Sequence, residues 1–162
     1  MSTKRKEYVE TSPRTVGRAV LRKMSVTDLQ QVIRIEHTSF PTPWTLDLFV
    51  RELSLKFSHN FVLDLLGNVI GYINFWLVAG EMHIMSIAVQ EDYREKRVGT
   101  MLLEKSLTYA RRRGAEYAYL EVRKNNDAAI ALYRGMEFEV VGVREGYYTD
   151  TGEDALVMAR YL

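Results

Sequence analysis

Three side chains of the 162-residue sequence stand where proton transfer could be done. Glu121 lies in the run Ala115 to Arg123. Alternation there places Tyr117, Tyr119, Glu121 and Arg123 on one strand face and Ala118, Leu120 and Val122 on the other. A carboxylate in such apolar surroundings has its pKa raised by desolvation, as a general base working near neutrality requires. Its other reading is an ion pair on the strand, with Arg123. Tyr133, twelve residues further on, shares an inward stripe with Ala129 and Met136 on a segment opened by Asn125-Asn126-Asp127. The phenol there is either core packing or a proton donor. His83 lies in the run Met82 to Val89, on the face with Met85 and Ile87. It reads either as a hydrogen-bonded strand histidine or as a proton relay.

A fourth group could hold a ligand. Ser86 to Gln90 reads as the end of a strand, and Arg94-Glu95-Lys96-Arg97-Val98-Gly99-Thr100 as a short basic loop running into a helix. The unpaired N–H groups and dipole of a helix start suit an anion such as a phosphate or pyrophosphate, and Arg94, Lys96 and Arg97 add charge. The bland reading of the same loop is a solvated turn.

The elements that must position these residues follow from periodicity and punctuation. Arg18 to Leu21 reads as a short strand. Ser25, with Asp28 three residues later, caps a helix carrying Leu29, Val32, Ile33 and Ile35 as far as Glu36. Pro41 and Pro43 end it, and Thr45 and Asp47 open a second helix with Leu46, Phe49, Val50 and Leu53. Phe61 to Leu66 and Val69 to Ala79 are strands joined by a hairpin at Gly67-Asn68, and Gly80 turns the chain into Met82 to Val89. Residues 97–113 form the longest helix, with Val98, Leu102, Leu103, Leu107 and Ala110 at helical spacing. Arg111, Arg112, Arg113 and Gly114 close it, with three cations at the negative end of its dipole. A strand at Ala115 to Arg123, a helix capped by Asn126, and strands at Phe138 to Val143 and Glu153 to Arg160 complete the chain. The strand–helix–strand unit across residues 82–122 implies a parallel pair with a helical crossover. The class is α/β or α+β, a mixed central sheet with flanking helices.

Composition narrows the chemistry. The absence of cysteine excludes a disulfide framework, a thiolate zinc site, an iron–sulfur cluster and a cysteine nucleophile. Lys+Arg of 22 against Asp+Glu of 21 leaves a net charge of +1, so no direct nucleic-acid binding is expected. No apolar run approaches the ~20 residues of a membrane helix, and no secretory signal heads the sequence. No membrane partner and cytoplasmic residence are therefore expected. Residues 1–17 hold Lys4, Arg5, Lys6 and Arg14 and few apolar side chains, and read as a disordered basic tail. Residues 18–162 remain as one domain.

The loop Arg94 to Gly99 resembles the phosphate loop of the Gcn5-related N-acetyltransferases (GNAT), Arg/Gln-x-x-Gly-x-Gly/Ala at the start of a long helix. Gly99 is the second small residue, and Arg97 stands in place of the first glycine. Three further stretches are similar to one branch of that family. They are Leu120-Glu121-Val122-Arg123 to Asn126, Ala129-Ile130-Ala131-Leu132-Tyr133, and Gly146-Tyr147-Tyr148 to Glu153-Asp154-Ala155 and Met158. The branch is the N-terminal protein acetyltransferases, of the bacterial RimI type and the archaeal relatives of the NatA catalytic subunit. The likeness runs over residues 18–162 in order and spacing.

The resemblance implies the GNAT fold and transfer of the acetyl group of acetyl-CoA to the α-amino group of a ribosomal protein or of nascent chains. It implies that Glu121 is the base, that His83 on an adjacent strand holds a relaying water with it, and that Tyr133 donates to the leaving thiolate. These two ligands, His83 and Glu121, fall short of the three or four of a dedicated zinc site, so no metal is expected. Acetyl-CoA would lie along Ile87, Ala88 and Val89. The backbone of Ile87 and Val89 would pair with the pantetheine amides, and the Val89 N–H would face the oxyanion. Arg94, Glu95, Lys96, Arg97, Val98, Gly99 and Thr100 would surround the pyrophosphate, with Asn126 and Tyr133 on the pantetheine arm. Phe40, Pro41, Tyr147 and Tyr148 would hold the acceptor peptide, and Glu36 its ammonium group. Association with the ribosome or an auxiliary subunit is in keeping with such a substrate. With no cysteine to carry an acetyl group, direct attack by the amine in a ternary complex is expected over ping-pong transfer. Two alternatives stay open: acetylation of internal lysines or small amines, and a CoA-binding module lacking turnover, which the Arg97 departure keeps open and the Glu121–Tyr133 pair argues against.

Overall fold

The computed structural model describes residues 18–162 and a two-residue strand, β1 (Val9–Glu10); the remainder of the expected basic tail lies outside the described residues. β1 pairs antiparallel with β2 (Ala19–Lys23) through Val9↔Leu21 and Glu10↔Val20. The Ser25 N–H donates to the Asp28 carboxylate at 2.8 Å, and Arg22 of β2 donates to the same group at 2.7 Å. These bonds fix a 3-10 turn, Val26–Asp28, that leads into α1 (Leu29–Ser39). After the proline-containing loop the Thr45 hydroxyl accepts the Leu48 N–H at 3.3 Å and caps α2 (Leu46–Ser54).

β3 (Ser58–Leu65), β4 (Asn68–Val78) and β5 (Glu81–Val89) form an antiparallel meander. Its two turns, Leu66-Gly67 and Ala79-Gly80, have φ of 52°, 90°, 50° and 78° in chain order. Positive φ at both central residues is the hairpin geometry whose twist matches that of the flanking strands. The first turn lies one residue earlier than the Gly67-Asn68 expected, because Asn68 already pairs with Leu65.

α3 (Val98–Arg112) crosses from β5 to β6 (Tyr117–Arg123), then α4 (Asp127–Gly135), β7 (Glu139–Tyr148) and β8 (Glu153–Tyr161) follow. β7 continues past the expected end at Val143. It is a solvated edge strand without a buried alternation to mark its length, and it stays paired with β8 as far as Tyr148↔Glu153. The sheet order is β1-β2-β3-β4-β5-β6-β8-β7, antiparallel throughout except for β5–β6. One face packs on α3 and α4 through Ile73, Phe75, Ile84, Leu102, Leu103 and Leu120; the other packs on α1 and α2 through Val32, Ile35, Phe49, Val62 and Tyr72. No helix among the described residues is long and apolar enough to cross a membrane.

Two irregularities of β5 prepare the site. Asn74 pairs with Ser86 but Phe75 with Ile84, so Met85 is an extra residue on β5, a β-bulge. The bulge reverses the alternation. Ile84 faces the α3 core, whereas Ser86 meets the Tyr72 hydroxyl on the α1 side at 3.1 Å. His83 and Ile87 therefore face opposite sides of the sheet, not the shared face that simple alternation gives. The second irregularity is a parting of strands. β5 pairs with β6 only as far as Ile84↔Leu120, although β5 continues to Val89 and β6 to Arg123.

Candidate active site

The parting of β5 and β6 opens a wedge that widens into a cavity of about 370 Å³. Its walls include residues 84–87 of β5, 120–123 of β6, Asn126, Ala129 and Tyr133 of the α4 segment, Glu36 and Phe40 of α1 and its end, and Tyr147 and Tyr148 of β7. The β5 edge of the wedge is lined with backbone donors. Gln90 N–H donates to Ile70 of β4 at 2.8 Å. Successive residues of an extended strand face opposite edges, so the N–H groups of Val89 and Ile87 point into the wedge. Ala88, expected beside them, pairs with Tyr72 instead and turns its N–H toward β4.

His83 Nε2 and Glu121 Oε2 are 2.7 Å apart, from adjacent parallel strands, and the imidazole stacks on Tyr119 with ring centroids 4.2 Å apart. Arg144 of β7 lies 3.6 Å from the other Glu121 oxygen. Arg123 does not pair with Glu121; it binds Asp150 at 2.8 Å and Glu153 at 3.4 Å. Burial pushes the Glu121 carboxyl up. The hydrogen bond and charge of His83, with the Arg144 guanidinium, outweigh burial and hold it below its ordinary value. The raised pKa expected from an apolar strand is thus corrected, because His83 of β5 and Arg144 of β7 reach Glu121 from other strands and outweigh its burial. Tyr133 is buried on α4, whose first turn is fixed by Asn126 Oδ1 accepting the Ala129 N–H at 3.2 Å. Burial raises the Tyr133 phenol well above its usual range and keeps it a protonated donor.

Glu36 lines the same cavity from α1. It is 1% exposed, accepts the Trp44 N–H at 3.0 Å, and takes a very short hydrogen bond from the Tyr72 hydroxyl. Among the described residues no Lys, Arg or His pairs with it. Burial pushes its pKa up, to about 7, against the Trp44 N–H and the Ser86 hydroxyl. Phe40, Tyr147 and Tyr148 stand in the wall, while Pro41 is exposed beside it. Thr42 donates to Asp150 at 2.6 Å, and Asp150 is held by Arg123, which ties the α1–α2 loop to the β7–β8 turn across the rim. Arg123 lies 4.0 Å over the Tyr148 ring and Arg144 4.5 Å over Tyr147.

The basic loop continues from β5 beside the cavity rather than in its wall. Arg94 donates to the Val89 carbonyl at 3.2 Å and to Ser39 at 3.1 Å, anchoring the loop to β5 and to the end of α1. Lys96 lies 5.5 Å over the Tyr93 ring. Glu95 and Arg97 have φ of 61° and 62°, left-handed conformations that cost a side-chain-bearing residue about 1–2 kcal/mol. Arg97 therefore keeps the backbone shape that a glycine would adopt, with its side chain exposed. No side chain caps the first N–H groups of α3, which stay available to an anion. Val98 is buried in the core, Thr100 is half-buried, and a Cβ on Gly99 would lie 3.3 Å from Leu132 of α4. No group of three or more His, Asp or Glu side chains that could hold a metal ion occurs among the described residues.

Residues 29–138 match the acetyltransferase (GNAT) family. The chain belongs to this family. Among its relatives is a Bacillus subtilis protein named as a putative ribosomal protein bS18-alanine N-acetyltransferase, 36% identical over 142 residues that cover 87% of this chain and 94% of the relative. An N-alpha-acetyltransferase of Saccharolobus solfataricus is 38% identical over 155 residues, covering 88% and 92%. The crystal structure of the ribosomal-protein-S18-alanine N-acetyltransferase from Escherichia coli superposes with a TM-score of 0.81 at 32% identity, over 88% of this chain and 93% of that one.

A GNAT acetyltransferase draws its acetyl group from acetyl-CoA, and the donors of this one suit that cosubstrate. The free β5 edge would take the pantetheine amides, and the uncapped start of α3 would take the pyrophosphate. Gly99→Val is expected to raise the acetyl-CoA KM about tenfold with kcat little changed, since a larger side chain must displace Leu132 or the loop. Steady-state kinetics check this; an unchanged KM would remove the loop from the acetyltransferase's binding site. Sequence reasoning missed Tyr72, Ser86, Arg144 and the Thr42–Asp150–Arg123 link. A tyrosine within the long apolar run of β4 was one available signal, because a buried phenol needs a polar partner.

Proposed function

We propose that the protein transfers the acetyl group of acetyl-CoA to the N-terminal α-amino group of a protein, either a ribosomal protein or a nascent chain. Residues 18–162 would form the acetyltransferase domain. Glu36 carries the reading: a buried carboxylate without a cationic partner among the described residues, in one cavity with Glu121, to which His83 is hydrogen-bonded. Such a group is completed by an ammonium ion desolvated beside it. Relatives named for alanine N-acetylation and N-alpha-acetylation favour an α-ammonium as that ion.

In this reading the acceptor lies over Phe40, Tyr147 and Tyr148 with its terminus toward Glu36. An α-amine has a pKa near ~8, so a proton must often leave it before attack. Glu121 accepts that proton, with His83 and a water as relay. The nitrogen lone pair then forms a bond to the thioester carbon while negative charge develops on the oxygen, toward the Val89 and Ile87 N–H groups. Collapse breaks the C–S bond, and the Tyr133 phenol protonates the sulfur. The proton lost by the new amide nitrogen restores the phenol.

The test uses labelled acetyl-CoA and peptides beginning Ser, Ala, Thr, Met-Leu and Met-Glu, each with a free and with a blocked N-terminus. Label is expected on the free peptides only. Label on lysine of the blocked peptides would replace this reading with lysine acetylation. Acetyl-CoA binding without transfer to any peptide would leave a binding module.

A further inference from the structure

A second cavity, of about 220 Å³, lies at the opposite end of the sheet from the wedge. It is built on the last residues of β2, the α2–β3 turn, the first residues of β3 and the last turns of α3, with Lys23, Lys56, His59 and Tyr109 among its walls. β3 and β5 run in the same direction, and this cavity sits at the start of β3, whereas the wedge sits at the end of β5. Its charge is one-sided. Lys23 and Lys56 are exposed, and neither forms an ion pair among the described residues. The Arg113 guanidinium lies 3.4 Å over the Tyr109 ring, and the Tyr109 hydroxyl is 3.1 Å from His59 Nδ1. Burial holds His59 below its usual pKa, and the charges that add to this, Arg113 and Lys23, are both cations. Glu52 reaches the wall at Ser58, but its carboxylate is engaged by the Ser58 hydroxyl at 2.6 Å and the Trp76 indole at 2.8 Å. Arg112, exposed and three residues on from Tyr109 along the same helix, extends the patch.

We propose that this face is a docking surface for RNA, held through its phosphates. A single phosphate is gripped by donors converging on one point. Here the cations come from three separate elements, Lys23 at the end of β2, Lys56 in the α2–β3 turn and Arg113 at the end of α3, which suits the successive charges of a nucleic-acid backbone. Arg113, with one side of its guanidinium on Tyr109, adds a flat cation of the kind on which unpaired RNA bases stack. The net charge of +1 conceals this patch, which is why the summed composition argued against nucleic acid. The surface is remote from the wedge and needs no assumption about which amine is acetylated. It would hold the enzyme on an RNA-rich particle while the far end of the sheet receives an acceptor.

Anisotropy of a fluorescent RNA hairpin, titrated with the full chain over a range of salt, tests the proposal. Affinity is expected to fall steeply with salt, as three or more phosphate contacts dictate, at a slope of roughly −0.7 to −0.9 per contact. The variant Lys23→Gln/Lys56→Gln/Arg113→Gln should bind at least about tenfold more weakly near ~100 mM salt and flatten the slope by about 2 to 3. The double variant Lys23→Gln/Lys56→Gln, confined to two exposed side chains, should lie between. Peptide acetylation should match the wild type in both, and Tm in the double variant. Equal RNA affinity in all three proteins overturns the proposal. So does displacement of the RNA by acetyl-CoA, which would place it on the loop before α3. Equally tight binding of poly-glutamate would make the partner an acidic protein and overturn it as well.

Discussion

Glu121→Gln lowers kcat by about 10²- to 10⁴-fold and leaves the acetyl-CoA KM within about twofold of wild type. The substitution removes a proton acceptor from the point where β5 and β6 part and leaves the β5 edge and the α3 start untouched. The pH dependence is the more discriminating part. His83 and Arg144 hold Glu121 below the ordinary carboxylate value, so it is ionised throughout the neutral range. For a depressed pKa of this kind, the associated stability is present above the unfolded value and is lost only as pH falls through the folded one. The titration of Glu121 therefore does not shape the rate between pH 6 and 9. The wild-type rate should rise over that interval with the acceptor amine, near ~8. Steady-state kinetics across the interval check both parts. A kcat within about threefold of wild type would remove Glu121 from proton transfer. A KM that rises in proportion would make it a binding residue.

β6 is legible in the sequence because it is a regular strand with one face on a core. Its alternation of half-buried and buried residues is the one that period-two reading predicts, with Glu121 beside Tyr119 and away from Leu120. Asn126 could be read as a cap because capping is local chemistry, three residues in reach. What could not be read depends on register between strands. The bulge at Met85 leaves no mark on the polarity pattern of β5, yet it sends His83 and Ile87 to opposite sides. The sign of the Glu121 shift was misread for a similar reason, since its outcome depends on His83 and then Arg144, 38 and 23 positions away in sequence. The sequence around Glu36 carries no mark of a buried carboxylate. Its burial arises only when β4 brings Tyr72 against α1 and the loop folds the Trp44 N–H back onto it.

That burial makes the second large effect predictable. Folded Glu36 titrates at about 7 against an ordinary 4.5, so the folded chain holds this proton more tightly than the unfolded chain does. The stability that goes with a raised pKa is complete below the unfolded value and is lost as pH rises through the folded one. At about 1.4 kcal/mol per pH unit the interval amounts to roughly 2–3 kcal/mol, allowing for water in the cavity. Wild-type Tm should therefore fall by roughly 5–10 °C between pH 5 and 8 from this group. Glu36→Gln keeps an oxygen for the Trp44 N–H, turns an NH2 donor toward the Tyr72 oxygen and removes the ionisation, so its Tm should lack this fall and exceed that of wild type at pH 8. The same substitution should raise the acceptor-peptide KM about 10- to 100-fold while the acetyl-CoA KM holds, because an ammonium ion would lose the charge that offsets its desolvation. Calorimetric melts at the two pH values and kinetics with a free-amine peptide separate the two claims. An undiminished fall in Tm would assign the titration to another group. An unchanged acceptor KM would mean that the ammonium binds elsewhere, and that the part of the cavity lined by Glu36 is a polar core and not a receptor.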